Sequence, residues 1–552
     1  MSWDFSTDPD FQTQLDWMNE LVRREIWPLE TIWRELGQDG LREAIAPLQQ
    51  EVKARGLWAA HLPPELGGQG MGQVRLGLMH EILGTSPIAP LAFGNAAPDS
   101  GNSEILALAG TPEQKERWLY PLLAGDVRSA FSMTEPDTPG SDPTRLRTRA
   151  VREGEDWVIE GRKWFSSNGS IADFLIVMAV TDPDARARQR ASMFIVPRET
   201  PGVEILRDVP TMEHPWEQFG AYGGHAEIAY NGVRVSGEAL LGGEGDGFLL
   251  AQQRLGPGRI HHCMRWLGVA RRAFDMMCER ATYRQAHGSV LADKQTVQNW
   301  IADSAAEMQA ARLMTLHAAW VMDTQGPRAA MVDVALIKFF GARVLHDVVD
   351  RALQVHGSLG YSTDLPLEQM YRFARGARLY DGPDEVHRQT VARRILHGYQ
   401  PPPDEVPSEH LPTRREQARE RFAYLLGALT AKTDPPAGPG WSGFRAGSGW
   451  LRFPAGSGWS GIRTGSGWLR FHSTHARPRR PSAQRMRHLA RGKCDPRPSL
   501  ESRRSGPKAN GSISTSKPGG ASDSRAAVIR PSSPRSSEAA TRSSSSTSPD
   551  AS

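Results

Sequence analysis

The chain has 552 residues, with 54 Gly, 40 Pro and only three Cys. Residues 1–400 carry 41 Lys+Arg against 51 Asp+Glu, a net of −10, whereas residues 401–552 carry 25 against 11, a net of +14. The basic balance belongs to the C-terminal part, which excludes a basic nucleic-acid binder as the reading of the main body. Three cysteines (Cys263, Cys278, Cys494) exclude a disulfide scaffold or a Cys-rich zinc site. No apolar run approaches the ~18 residues of a membrane span. The acidic N-terminal stretch MSWDFSTDPDFQ carries no leader pattern, and the final PDAS is no targeting signal. A soluble protein of a reducing, cytoplasmic compartment is the expectation.

In chain order, residues 1–126 read as an N-terminal helical domain. Ile45, Leu48 and Val52 fall three and four apart. Thr111-Pro112 opens a second helix over 113–124, as an N-cap followed by a first-turn proline. HLPPELGGQGMG (61–72) is a Pro/Gly loop between helices. Residues 127–240 change period. DWVIEGRKWF (156–165) alternates, DFLIVMAVT (173–181) is a short buried run, and SMFIVP (192–197), GVEILR (202–207) and AEIAYNGVRV (226–235) are further strands. Short strands at this spacing predict a small β-barrel or sandwich.

Residues 241–400 return to helical pattern, with long stretches at 259–283, 294–324, 328–356 and 384–397. They predict a four-helix-type bundle. Residues 401–435 read as a linker with one possible helix (416–429). Beyond it, Trp441, Trp450, Trp459 and Trp468 recur every nine residues, followed by Ser, Arg and Pro with few large apolar residues. That composition cannot repay its ordering entropy, so 436–552 is expected to be a disordered tail.

Four motifs carry chemistry. FSMTEPDTPGSD (131–142) offers small residues, backbone amides and the Thr134 hydroxyl to a flat polar ligand. GRKWFSSNG (161–169) places an aromatic and then Ser at a strand end, where they can cover a ring and bond its edge. In LGPGRIHHCMR (255–265), at a predicted helix start, Gly256-Pro257-Gly258 clears space and Arg259 offers a cation. QVHGSLGYSTDLPLEQMYRFARGARLYDGPDEVHR (354–388) is a glycine-punctuated helix end followed by an Asp-Gly-Pro turn.

Each motif has a plain structural reading. Asp381 in an Asp-Gly-Pro turn is commonly a turn residue. Asp384 is explained as the N-cap of the helix it opens. Arg259 beside His261 and His262 is a solvated helix start, and Arg284 an ion-pair partner. Trp164 and Phe165 are core aromatics, and Gly357-Ser358-Leu359-Gly360 is a helix C-cap. His261 and His262 suggest a metal pair, but adjacent residues point to different helix sides and no third ligand is near. No metal site is expected.

Together, in this order and over about residues 10–400, the motifs resemble the acyl-CoA dehydrogenases, FAD enzymes of fatty-acid-type oxidation. MTEP, KW-x-S and YDGPDEVHRxxxARRIL carry the likeness, and the DGPDEVH form is most similar to the branch with members 10 and 11. The resemblance implies an α+β fold with an N-terminal helical domain, a middle β-barrel and a C-terminal bundle. It also implies FAD as cofactor and an acyl-CoA as substrate. By position, Phe131, Ser132, Met133 and Thr134 correspond to one flavin-lining segment, and Trp164, Phe165 and Ser166 to a second. Arg284, Gln295, Gln354, His356, Gly357 and Ser358 correspond to FAD contacts across a subunit interface, which implies a homodimer or homotetramer. Pro383 and Glu385 stand at FAD-contacting positions where a threonine and a glutamine are usual. Ser141, Gly256, Pro257, Gly258, Arg259 and Gly382 correspond to positions near the acyl-CoA.

Asp381 corresponds to the catalytic base, a glutamate in most members. It would take the substrate's α-proton while hydride leaves the β-carbon for the flavin, giving a trans-2-enoyl-CoA. A carboxylate in such a dry site is expected to have a raised pKa. Electrons would pass to an electron-transfer flavoprotein or similar acceptor. Two other readings share the fold: a flavin oxidase of the nitroalkane-oxidising type, and a non-catalytic flavoprotein whose basic tail binds nucleic acid. Binding through that tail is the less expected, because its excess charge lies in low-complexity sequence. Acyl chain length, branching and hydroxylation are not encoded in any motif.

Overall fold

In the computed structural model of the protein, the described residues are 6–213, 215, 224–402 and 405–433. The expected disordered tail at 436–552, with its tryptophan repeat, lies outside them. By contacts the chain divides after Ala423, and the fold below is that of the first unit, Met1–Ala423, apart from the one described helix that runs from Ala423 into the second.

The N-terminal region is helical, as its pattern predicts. Helix α1 (Pro9–Leu21) is capped by Asp8, whose carboxylate accepts from the amides of Asp10 and Phe11. Helix α2 (Trp33–Ala54) is kinked at Gly37, where φ is 67°. Helices α3 (Gly72–Leu83) and α4 (Asp99–Ala109) follow. Thr111 then caps a helical segment that starts at Pro112 and ends at Ala124. Its hydroxyl and the Gln114 side chain form a reciprocal capping box.

The middle region is one eight-stranded sheet: β1 (Ser129–Ser132), β2 (Arg149–Glu153), β3 (Asp156–Ser167), β4 (Phe174–Val180), β5 (Ala191–Pro197), β6 (Val203–Asp208), β7 (His225–Ser236) and β8 (Leu240–Leu241). The order is β6-β7-β3-β2-β4-β5-β8, with β1 parallel to β4. Strand β4 touches β2 only at Arg149↔Val180, so the sheet bends there and encloses its own core. This explains the unbroken apolar run in β4. Leu175, Val177 and Ala179 face Trp157, Ile159 and Tyr230 inside the sheet. Phe174, Ile176 and Met178 face Leu106, Leu119 and Leu122 of the helices.

The C-terminal region holds long helices: α5 (Gly247–Tyr283), α6 (Gln295–Gln325) and α7 (Met331–His356), then α8 (Leu367–Gly376) and α9 (Asp384–Leu396). They share one core with the N-terminal helices, in which Met18, Leu41 and Ile45 join Met264, Leu316 and Val344. The motif 255–265 is not at a helix start. Helix α5 begins at Gly247 and carries Pro257 inside it. The proline removes one N–H, so the Gln253 carbonyl loses its partner four residues on. The possible helix at 416–429 is two, α10 (Leu411–Arg421) and α11 (Ala423–Thr433), parted at Phe422. Among the described residues, no helix is long and apolar enough to cross a membrane.

Candidate active site

The first two motifs meet at one edge of the sheet. Strand β1 delivers Phe131 and Ser132, and the chain continues to Met133 and Thr134. Strand β3 pairs with β7, but its register slips between Lys163 and Ser166. That bulge pushes Trp164 and Phe165 out of the ladder. Phe165 sits at φ 50°, rare for a non-glycine residue, and the residue is 41 % exposed. The Trp164 amide donates to the Thr134 carbonyl at 2.9 Å, and the Ser132 and Ser166 hydroxyls meet at 2.9 Å. Tyr230 donates to Ser132 Oγ at 2.7 Å. The buried Trp164 Nε1–H has no hydrogen-bond partner among the described residues.

Beneath this edge lies a pair that sequence reasoning did not single out. Lys163 is fully buried and donates to Glu135 Oε1 at 3.0 Å and to the Met133 carbonyl at 2.8 Å. Glu135 also accepts the amides of Arg147 and Thr148 at 2.7 and 2.8 Å. Burial pulls the Lys163 ammonium down to about 8, against the opposing pull of Glu135. Glu135 stays below its ordinary value: burial pushes up, but Lys163 and the two amides outweigh it. Ser141 lies in the exposed loop beyond Glu135. Gly140, next to it, packs so close to Thr134 that an added Cβ would meet the Thr134 methyl at 3.3 Å.

The second focus is the turn before α9. Asp381 has φ 54° and Gly382 has φ 96°. A side chain at Gly382 would meet His387 Nε2 at 2.7 Å, so this position requires glycine on two counts. Three donors clamp the turn. Arg259 Nε and His387 Nε2 lie 3.0 and 3.2 Å from the Asp381 carbonyl oxygen. Lys338, buried in α7, donates to the carbonyls of Ala377 and Gly382 at 2.8 and 3.3 Å. The Asp381 carboxylate itself meets His262 Nε2 at 3.1 Å. On α5, side chains at Gly256 and Gly258 would meet nothing within 4 Å, so these glycines do border open space.

The expected rise of the Asp381 pKa is not what the chain produces. Burial does push it up. The hydrogen bond from His262, with the guanidinium groups of Arg259 and Arg254, prevails and holds it well below the usual carboxylate range. His262 is itself lowered, by burial first and then by Arg265. Arg254 joins the two foci. Its guanidinium lies 4.2 Å from the centre of the Phe131 ring, and its charge acts on Asp381.

Asp384 does not play the N-cap role expected of it. Pro383 holds the cap position, and Asp384 is the first residue of α9. Its buried carboxylate pairs instead with Arg378 at 2.9 Å and Arg388 at 3.5 Å. Glu385, in the same turn, is exposed. His261 and His262 point apart: His261 stacks on His80 and bonds Gln73, while His262 faces Asp381.

The remaining expected contacts lie elsewhere. Arg284 ends α5, Gln295 opens α6, and Gln354, His356, Gly357 and Ser358 close α7. Arg284, Gln295 and Gln354 are exposed. His356 feels the charges of Arg280 and Glu279, which puts the end of α7 beside the end of α5. Arg284 follows Arg259 by 25 residues of continuous helix, or about 38 Å. Within one chain this second cluster does not reach the Asp381 turn.

Three family profiles match the chain in order: the acyl-CoA dehydrogenase N-terminal domain over 9–126, the middle domain over 130–217 and the C-terminal domain over 245–396. The chain is 45% identical over 402 residues to "Probable acyl-CoA dehydrogenase FadE2" of Mycobacterium tuberculosis, covering 70% of this chain and 95% of that protein. This chain belongs to the acyl-CoA dehydrogenase family. It is an oxidoreductase with that family's flavoprotein-type fold. It is also 42% identical over 359 residues to acyl-CoA dehydrogenase family member 11 of Rattus norvegicus, 64% of this chain but only 45% of the rat protein. The branch resemblance read from DGPDEVH is thus borne out. A solved Mycobacterium abscessus structure assigned to the acyl-CoA dehydrogenases superposes with a TM-score of 0.67 at 39% identity, covering 72% of this chain and all of that one.

Proposed function

We propose that the chain is an FAD-dependent acyl-CoA dehydrogenase that converts a fatty acyl-CoA to its trans-2-enoyl-CoA, with Asp381 as the α-proton base. The observation that supports this most is the Asp381 carboxylate, anionic, raised on a left-handed turn and held against α5 by Arg259 and His262, on the helix whose Gly256 and Gly258 border open space. A side chain one methylene shorter than the usual glutamate needs such support. The clamp by Arg259, His387 and Lys338 supplies it.

The chain's residues fit FAD. Phe131–Thr134 and Trp164–Ser166 form one continuous edge, with a protruding aromatic and an indole N–H that no described group accepts. FAD held there supplies the acceptor for the hydride that leaves the β-carbon. Asp381 takes the α-proton at the same stage, and the bonding pair it releases becomes the second bond of the alkene. Ser141 and the Gly256–Arg259 segment flank the thioester. The cluster of Arg284, Gln295, Gln354, His356, Gly357 and Ser358, about 38 Å along α5 from Arg259, serves the FAD of a neighbouring copy. Pro383 and Glu385 stand beside the cofactor at the head of α9. The working unit is therefore a homodimer or homotetramer, and an electron-transfer flavoprotein or similar carrier removes the electrons.

Anaerobic titration of the full-length holoprotein with acyl-CoAs of different lengths tests the reading. One chain class bleaches the oxidised flavin band, and Asp381→Asn abolishes bleaching while FAD stays bound. Bound FAD that no acyl-CoA bleaches would refute the dehydrogenase assignment and favour an oxidase or non-catalytic role.

A further inference from the structure

His262 stands 3.1 Å from the carboxylate on which the proposed chemistry depends, yet neither the motifs nor the turn geometry gives it a task. Its protonation is fixed by its other neighbour. Arg265 NH2 lies 3.2 Å from His262 Nδ1, and a guanidinium only donates. Nδ1 must therefore present its lone pair, and the imidazole proton sits on Nε2, directed at Asp381 Oδ2. Arg265 is anchored in turn by its NH1, which lies 3.2 Å from Nδ1 of buried His80 on α3. The rings of Trp266 and Tyr380 flank the imidazole at 6.2 and 5.3 Å.

The charged and titratable groups facing His262 come from every packed element. Arg265 and His261 lie on its own helix, His80 on α3, Lys338 on α7, and Asp381 and Tyr380 on the turn. Burial first, then Arg265 and Lys338, keep the imidazole neutral against the pull of Asp381. A neutral ring that already carries its proton on Nε2, with Nδ1 occupied by Arg265, cannot accept a proton from Asp381. A relay role is excluded.

We propose that His262 is a positioning residue for Asp381: its Nε2–H holds Oδ2 and leaves Oδ1 as the oxygen that takes the substrate's α-proton. The proposal rests on the reading of Asp381 as the base. The Arg265–His262–Asp381 chain does for this short carboxylate what a longer side chain does by reach. Alignment of reacting atoms is worth much in such a step, since a misplacement of about 1 Å costs on the order of a hundredfold.

The test compares His262→Leu and His262→Gln with the parent as full-length FAD holoproteins, by rapid-mixing flavin reduction across pH. The leucine fills the space without a donor, and the glutamine amide can replace Nε2–H. The expected result for His262→Leu is a reduction rate lower by about tenfold to a hundredfold, with acyl-CoA affinity changed less than about threefold. Its acid limb should move up by about one pH unit or more, because the carboxylate has lost a donor. His262→Gln should return both toward the parent. An acid limb in His262→Leu that coincides with the parent, or a glutamine variant no better than leucine, overturns the proposal. Should the leucine variant fail to fold, nitrogen-15 histidine spectra of the intact protein decide. A neutral Nε2–H tautomer at His262 supports the proposal, and an Nδ1–H tautomer or an imidazolium overturns it. The Asp381→Asn variant separates the two readings: full flavin reduction there removes Asp381 as base, whatever His262 shows.

Discussion

The residue with the clearest energetic consequence is Lys163. It stands within the motif GRKWFSSNG, in a strand whose alternation buries Trp157 and Ile159. The bulge after Lys163 keeps its ammonium inside, against Glu135 of the other flavin-lining motif. The sequence shows both residues but not their pairing, because alternation assigns faces and gives no distances. Truncating one partner leaves the other buried and unpaired, at a cost of about 3–5 kcal/mol. Lys163→Met should lower stability by that amount and weaken FAD retention, since the Met133 carbonyl loses its donor as well. Adding Glu135→Gln should recover only part of this, because the orphaned charge is gone but the one amide oxygen can serve only one of the Arg147 and Thr148 amides, which bond different carboxylate oxygens. Urea unfolding of the parent and these two variants checks this, and equal midpoints for Lys163→Met and the double variant would contradict it. His262 was illegible for a similar reason. A histidine beside a histidine carries no signal of which one faces a turn more than a hundred residues away.

At the scale of elements, periodicity located most helices and strands, and it failed where backbone chemistry is overridden by packing. Gly256-Pro257-Gly258 reads as a helix start, yet α5 runs through it from Gly247. Ala251 and Ile260, on either side of the proline, are fully buried and hold the helix together. Packing of α3 on α5 was equally hidden, because it depends on two glycines in separate regions. An added Cβ at Gly84 would lie 2.1 Å from the Arg265 carbonyl oxygen, and one at Gly268 would lie 2.2 Å from that of Glu81. Backbone meets backbone here, one turn from the Arg265–His80 contact. Gly268→Ala must push the helices apart. Overpacking of this kind costs about 1–3 kcal/mol. The same shift should pull His80 from Arg265 and so loosen His262. A lower unfolding midpoint with slower flavin reduction is the expected pair of effects. An alanine variant as stable and as fast as the parent would show that the helices can part without disturbing the site.

The whole molecule is marked by neutral histidines inside its shared helical core. Burial pulls His61 and His387 down to about 4, and holds His80 and His261 well below their ordinary value. Neighbouring Arg265 adds to the effect on His80 and His261, and Arg259 to that on His387. In the unfolded chain each of these rings takes up a proton near pH 6.5. In the folded chain each remains neutral until much lower pH. Between pH 6.5 and about 4 the unfolded chain therefore binds more protons, and stability falls as pH falls. Each such ring contributes a slope of about 1.4 kcal/mol per pH unit once its unfolded form is fully protonated. Glu104 acts with the opposite sign. Burial raises it to about 8 against the pull of Arg254, so it favours the folded state at low pH and loses that advantage as pH rises from about 4.5 to 8. Glu213, which burial raises to about 7, acts as Glu104 does, but four rings outweigh these two carboxyls below pH 6.5. The unfolding midpoint should therefore drop steeply from pH 6.5 to pH 4.5, and change little or decline gently from pH 7 to pH 8. Calorimetric scans at half-unit steps would show it. His61→Gln, which keeps hydrogen-bonding capacity toward Asn95 and Ser103 without a titrating ring, should flatten the acid slope by about one proton. A midpoint that is level from pH 6.5 to pH 4.5 would mean that these rings reach solvent and protonate in the folded state, and that the polar core joining α3, α5 and the Asp381 turn is wet.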